Sequence, residues 1–134
     1  MITAVDSSII IDVLEPDPEH GPSSRVAVRR CLREGSVVAC DVVWAEVATA
    51  FGHAHSRAVQ ALREIGIGYS AMTEEAALRA AERWYRFRRR TGGKERIVAD
   101  FLIGGHALVQ ADRLLTRERG LYRDYFKPLT LVVP

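Results

Sequence analysis

Cysteine is scarce in this 134-residue chain, which has only Cys31 and Cys40. Their spacing forms no CxxC pair, so they read as two reduced core thiols rather than a disulfide or a thiolate metal site. Long apolar runs are missing as well. No stretch approaches the roughly 20 residues needed to cross a bilayer. The N-terminus has no basic stretch followed by a signal-like apolar segment and a cleavage site. A cytoplasmic protein without membrane contact is therefore expected. Repeats and low-complexity segments are also lacking. What remains, 134 residues with 48% hydrophobic content, suits a single domain over 1–134 with one core.

The net charge of +2 hides an uneven distribution. The stretch RAAERWYRFRRRTGGKER, residues 79 to 96, holds eight basic and two acidic residues, with Trp84, Tyr85 and Phe87 interleaved. Basic and aromatic groups side by side suit a phosphate backbone with bases to stack on. A solvated helix face with its aromatics turned into the core explains the same pattern.

Short apolar runs alternate with longer helical stretches, the pattern of an α/β domain with a mostly parallel sheet. Strands are expected at Ile2 to Val5, Ser36 to Cys40, Arg113 to Thr116 and Leu129 to Val133, with a weaker one at Gly68 to Met72. Ser7 to Leu14 reads as a short helix, and Glu15 to Pro22 as a loop rich in proline. Ser23 or Ser24 suits the cap of a helix ending before Gly35. Further helices are expected after Asp41 through Phe51, over Ser56 to Glu64, from Thr73 to about Arg90, and over Glu95 to Gln110.

Several acids interrupt this apolar pattern. Asp6 ends the first strand, and Glu118 follows the strand carrying Leu114 and Leu115. Glu46 shares a helix face with Val43 and Val47, and Asp100 lies among Ile97, Phe101 and Gly104, so both are expected to point inward. Parallel sheets bind ligands at the carboxyl ends of their strands. Carboxylates gathered there repel one another, and a hard divalent cation such as magnesium or manganese relieves that repulsion through oxygen ligands. Singly, each acid has an ordinary explanation. Asp6 could cap a helix, Glu46 and Asp100 could pair with arginines, and Glu118 could sit in an exposed turn. Asp12 finds no such grouping and reads as a surface acid. His53 and His55, two apart, face different sides of a helix and make no metal pair.

The segments AVDSSIIIDVL, DVVWAEV, ADFLIGGHAL and LLTRERGLYRDYF, in this order, resemble the PIN-domain ribonucleases, most closely the VapC-type toxins of toxin–antitoxin pairs. The resemblance spans the chain. It implies a three-layer α/β/α sandwich with a mostly parallel sheet and an acidic pocket that binds magnesium or manganese and cleaves RNA. Position by position, it places the four acids at Asp6, Glu46, Asp100 and Glu118. The family usually carries aspartate in the fourth place, so Glu118, one methylene longer, departs from the pattern. Ser8 and Thr116 match hydroxyl positions that orient carboxylates or water. His106 matches a histidine read as structural.

The resemblance also implies an RNA substrate, a small antitoxin partner that blocks the pocket, and a homodimer. Arg88, Arg89, Arg90, Arg117 and Arg119 are the candidates for holding RNA phosphates. Two other readings stand beside this one. A receiver-type signalling domain would want adjacent acids after the first strand and a late lysine, whereas here the strand ends in Asp-Ser-Ser and the lysines are Lys94 and Lys127. A PIN-like binding module without catalysis is the second, and Glu118 is the residue that favours it.

Overall fold

The computed structural model describes residues 1–15, 17–93 and 96–134. Five strands alternate with seven helices among them. In chain order these are β1 (Ile2–Val5), α1 (Ser7–Leu14), α2 (Gly21–Glu34), β2 (Ser36–Cys40), α3 (Asp41–Ala50) and α4 (His55–Ile65). There follow β3 (Ile67–Ser70), α5 (Glu74–Thr91), α6 (Ala99–Gln110), β4 (Arg113–Leu115), α7 (Gly120–Tyr125) and β5 (Thr130–Val132).

All strand pairs are parallel, in the order β3-β2-β1-β4-β5. The chain winds outward from β1 through β2 to β3, then crosses back to β4 and on to β5. Right-handed crossovers therefore place α1 to α4 on one face and α5 to α7 on the other, which is a three-layer α/β/α sandwich. The winding reverses between β1 and β4, and at such a point the loops leaving neighbouring strands diverge and open a crevice.

The core is built from the strands' buried faces and the helices' apolar stripes. Val5, Leu114 and Leu115 from the centre of the sheet meet Ile9 and Ile10 of α1, Val43 and Val47 of α3, and Phe101 and Ile103 of α6. An aromatic group closes the far side. Phe101 lies 5.0 Å from Trp84 and 5.3 Å from both Phe87 and Phe126, centroid to centroid. Helices α5 and α6 approach closely because Gly105 presents no side chain. A Cβ there would stand 2.6 Å from the Ala76 carbonyl oxygen and 2.8 Å from Ala80 Cβ.

Helix ends follow local chemistry. Thr73 caps α5 by accepting from the Ala76 amide at 3.2 Å, and Gly66 ends α4 in the left-handed region at φ 100°. Three expectations need correction here. Helix α2 begins at Gly21, inside the expected loop, because Pro22 is preset for a first turn and lacks the amide that would go unused there. Neither serine caps it: Ser23 donates to the His20 carbonyl at 3.1 Å, and Ser24 turns into the protein. Helix α6 starts at Ala99; its expected start at Glu95 lies outside the described residues, and 96–98 are not helical.

Candidate active site

The crevice between β1 and β4 is where the acids gather. In-register pairing of Val5 with Leu115 brings the next residues, Asp6 and Thr116, out of the sheet side by side. The ladder continues through them, since the Asp6 amide donates to Leu115 and the Thr116 amide to Val132, each at 3.0 Å. Thr116 Oγ1 then donates to Asp6 Oδ2 at 2.8 Å and accepts from the Glu118 amide at 3.0 Å. On the other side, Ser7 Oγ lies 3.0 Å from Glu46 Oε1 and 3.4 Å from Asp6 Oδ1. A hydrogen-bonded line therefore runs from Glu46 on α3 through Ser7, Asp6 and Thr116 to the turn that carries Glu118.

Asp100 stands in the first turn of α6, where an acid is favoured by the helix dipole. Its carboxyl is pushed above the usual range by partial burial, and further by the charges of Asp6, Glu46 and Glu118. The four acids therefore share one electrostatic field. Asp6, at 5% exposure, is likewise raised by burial, against the opposing pull of Thr116, the Ser7 hydroxyl and the amides of Ser7 and Ser8. Among the described residues, none of the four acids forms an ion pair. Their repulsion is uncompensated by any basic side chain paired with them there.

This donor set matches a hard divalent cation in chemistry and charge. Its spacing is open: among the described residues, no three acid, histidine or cysteine side chains stand close enough together to hold a metal ion as placed. Tyr122 of α7 adds a further polar group. Its hydroxyl is fully buried, has no hydrogen-bond partner among the described residues, and is held protonated by burial and by all four acids.

Several sequence-predicted residues sit differently from expectation. Glu46 is exposed rather than turned into the core, because the helix face beyond Val43 and Val47 borders the open crevice. The hydroxyl that bridges Asp6 and Glu46 belongs to Ser7. Ser8 contributes its amide to Asp6, and its hydroxyl makes no hydrogen bond among the described residues. Asp12 is not a surface acid. It is 4% exposed and takes both nitrogens of the Arg117 fork, Nε at 2.9 Å and Nη2 at 3.0 Å. That pairing occupies Nε and Nη2 of Arg117 while its side chain remains partly open to solvent.

Of the other candidates, Arg119 is exposed just ahead of α7, and Arg89 and Arg90 are exposed on the last turns of α5. Arg89 lies over the Tyr85 ring at 5.8 Å and Arg90 over Tyr125 at 6.0 Å, while Arg88 is half-buried. Trp84 and Phe87 pack into the aromatic core, so of the interleaved aromatics only Tyr85 faces outward. His106 is buried, its Nε2 lies 2.9 Å from Ser70 Oγ, and burial lowers its pKa against the opposing pull of Asp41.

Sequence reasoning missed Asp12, Ser7, Tyr122 and helix α7. Two signals were there to find. Asp12 lies three residues after Ile9, on the same buried face of α1. Tyr122, Tyr125 and Phe126 have the i, i+3, i+4 spacing of a buried helix stripe.

Comparison with known proteins agrees with this fold. The PIN domain profile matches residues 3–127. The chain belongs to the PIN domain family, whose members are nucleases. No curated protein matches the sequence. Among solved structures, the fold is similar to VapBC2 from Rickettsia felis bound to a promoter DNA fragment. That match has a TM-score of 0.74 at 14% identity and covers 99% of this chain and 98% of that one. VapBC-1 from nontypeable Haemophilus influenzae is similar at 0.71, with 19% identity and the same coverage. FitAcB from Neisseria gonorrhoeae follows at 0.63, with 21% identity, covering 98% of this chain and 96% of that one. Family membership sets aside the receiver-type reading.

Proposed function

We propose that this protein is an endoribonuclease that hydrolyses RNA phosphodiester bonds with a magnesium or manganese ion, and that it is the toxin of a toxin–antitoxin pair. The observation that carries this reading is the hydrogen-bonded line joining Glu46, Ser7, Asp6 and Thr116 to the turn of Glu118, with Asp100 in the field of the same acids and no ion pair to any of the four among the described residues. Those four carboxylates would hold the ion. Such an ion supplies Lewis-acid activation of water and neutralises charge growing on the phosphoryl oxygens. Thr116 and Ser7 fix the rotamers of Asp6 and Glu46, and the amide of Ser8 supports the Asp6 charge. Arg88, Arg89, Arg90 and Arg119 hold the RNA backbone, which gives affinity rather than sequence choice.

The partner reading is supported by the similar structures, which are VapBC assemblies and FitAcB. On this reading a small antitoxin covers the acidic crevice, and the toxin is a homodimer. A second reading, a PIN-like binding module without catalysis, draws on Glu118 in place of aspartate and on the open spacing of the acids.

The deciding experiment is cleavage of total RNA by purified protein with manganese or with EDTA, beside the Asp6→Asn variant. Manganese-dependent cleavage that Asp6→Asn loses while keeping its thermal unfolding transition supports the nuclease. Wild-type protein that leaves RNA intact in manganese supports the binding module. Expression with and without the product of the adjacent reading frame tests the toxin role, since growth arrest should be relieved by the partner.

A further inference from the structure

Arg117 and Asp12 form a bidentate pair, Nε to Oδ2 at 2.9 Å and Nη2 to Oδ1 at 3.0 Å. Ser24 of α2 donates to the same carboxylate at 2.9 Å. Burying a carboxylate to this degree is costly unless donors and an opposite charge compensate it, and three donors converge on it here. The guanidinium is well suited to the task, because its planar fork meets both carboxylate oxygens at once, which an ammonium cannot do.

The consequence for the crevice is geometric. Residues 116 to 119 connect β4 to α7, and the pair ties that turn to α1. Thr116 ties it at a second point, to Asp6, at the start of the same helix. The Glu118 amide rests on Thr116 Oγ1, and Glu118 Oε1 accepts from the Leu121 amide at 3.4 Å. With Thr116 and Arg117 both anchored, the backbone between them cannot turn without breaking a buried hydrogen bond. The direction in which Glu118 leaves the chain is thereby set.

We infer that Asp12 and Arg117 are positioning residues for the fourth acid, acting through the turn to hold Glu118 in register with Asp6, Glu46 and Asp100. This rests on the reading of those acids as a cation site. Glu118 depends on such an anchor more than a shorter side chain would, because its additional rotatable bond gives it more ways to miss the shared site.

The test is a double-mutant cycle read by manganese affinity in titration calorimetry, with no RNA present. The proteins are wild type, Arg117→Lys, Glu118→Ala and the double variant, each checked by urea unfolding. Lysine keeps the charge on Asp12 and loses the fork. Arg117→Lys should weaken manganese binding about tenfold, as the loss of outer-shell partners commonly does. In the Glu118→Ala background the same change should have no further effect, because a residue acting only through Glu118 has nothing left to position.

If Arg117→Lys unfolds, the pair Asp12→Asn with Arg117→Gln removes both charges together, strands neither, and enters the same cycle. Wild-type affinity in the folded Arg117 variant overturns the inference. So do losses that multiply in the double variant, which would show Arg117 acting independently of Glu118. Wild-type protein that binds no manganese overturns the cation-site reading and this inference with it, whereas binding that is insensitive to Arg117 overturns the inference alone.

Discussion

Thr116 and Asp6, 110 positions apart in the sequence, meet through a 2.8 Å hydrogen bond at the point where the winding of the sheet reverses. The bond joins the ends of two adjacent parallel strands. It is also the contact that most opposes the effect of burial on Asp6, keeping more of that carboxyl ionised than its surroundings alone would allow. Thr116 therefore links the fold to the charge state of the acid it touches.

Thr116→Val keeps the branched shape and removes the donor. Manganese affinity should fall by about ten- to a hundredfold, the usual cost of losing an outer-shell partner. The Asp6 carboxyl should titrate at higher pH, followed by carboxyl NMR in the metal-free protein. Unchanged affinity would show that the hydroxyl does not tune the site.

Asp100 offers a stability test in the metal-free protein. Its folded pKa is raised by burial and by the other acids. A group raised in this way contributes stability that is fully present below its unfolded value, near pH 4, and is lost as pH rises through the folded value. At pH 7 its charge therefore works against folding. Asp100→Asn should raise the melting temperature at pH 7 in EDTA, and the gain should vanish as the pH falls to about 3. Manganese should stabilise the wild type and not the variant. A lower melting temperature for Asp100→Asn at pH 7 would contradict the repulsion.

Gly105→Ala probes the seat of Asp100. The new Cβ would meet the Ala76 carbonyl oxygen at 2.6 Å, a backbone atom that cannot rotate away. Helices α5 and α6 must separate, at a cost of about 1–3 kcal/mol in urea unfolding. Adding Ala80→Gly should recover part of the loss by removing the second contact. Wild-type stability would mean that the two helices slide apart freely.

The basic end of α5 is tested by salt. Changing Arg88, Arg89 and Arg90 to glutamine should weaken binding to single-stranded RNA and reduce the slope of log K against log salt by about 2. A slope equal to wild type would make this run an ordinary solvated surface.

Much of the fold was legible because apolar periodicity and helix stops are local properties. All five strands were located from the sequence, four within a residue of their observed ends. Helix α7 escaped because its six residues lie among charged neighbours and its buried stripe is short. The start of α2 was misplaced because proline signals a loop as readily as a first helical turn. In the crevice, the four acids were visible as charges out of place in apolar segments. Their mutual approach was not, since it depends on strand order.

The sequence by itself determined the alternation of strands and helices, the residue types available for a hard cation, and the resemblance that carried the PIN domain reading. Only the tertiary structure decided which charges oppose and which cancel. Asp12 and Asp100 are both acids on apolar helix stretches, yet one meets a guanidinium fork and the other meets three more carboxylates. Arg117 and Arg119, two residues apart, divide in the same way: Arg117 meets the Asp12 carboxylate, and Arg119 forms no ion pair among the described residues. The physical reason is that local pattern fixes the direction of a side chain within its own helix or strand, while its electrostatic partner is set by a register between segments far apart in the chain.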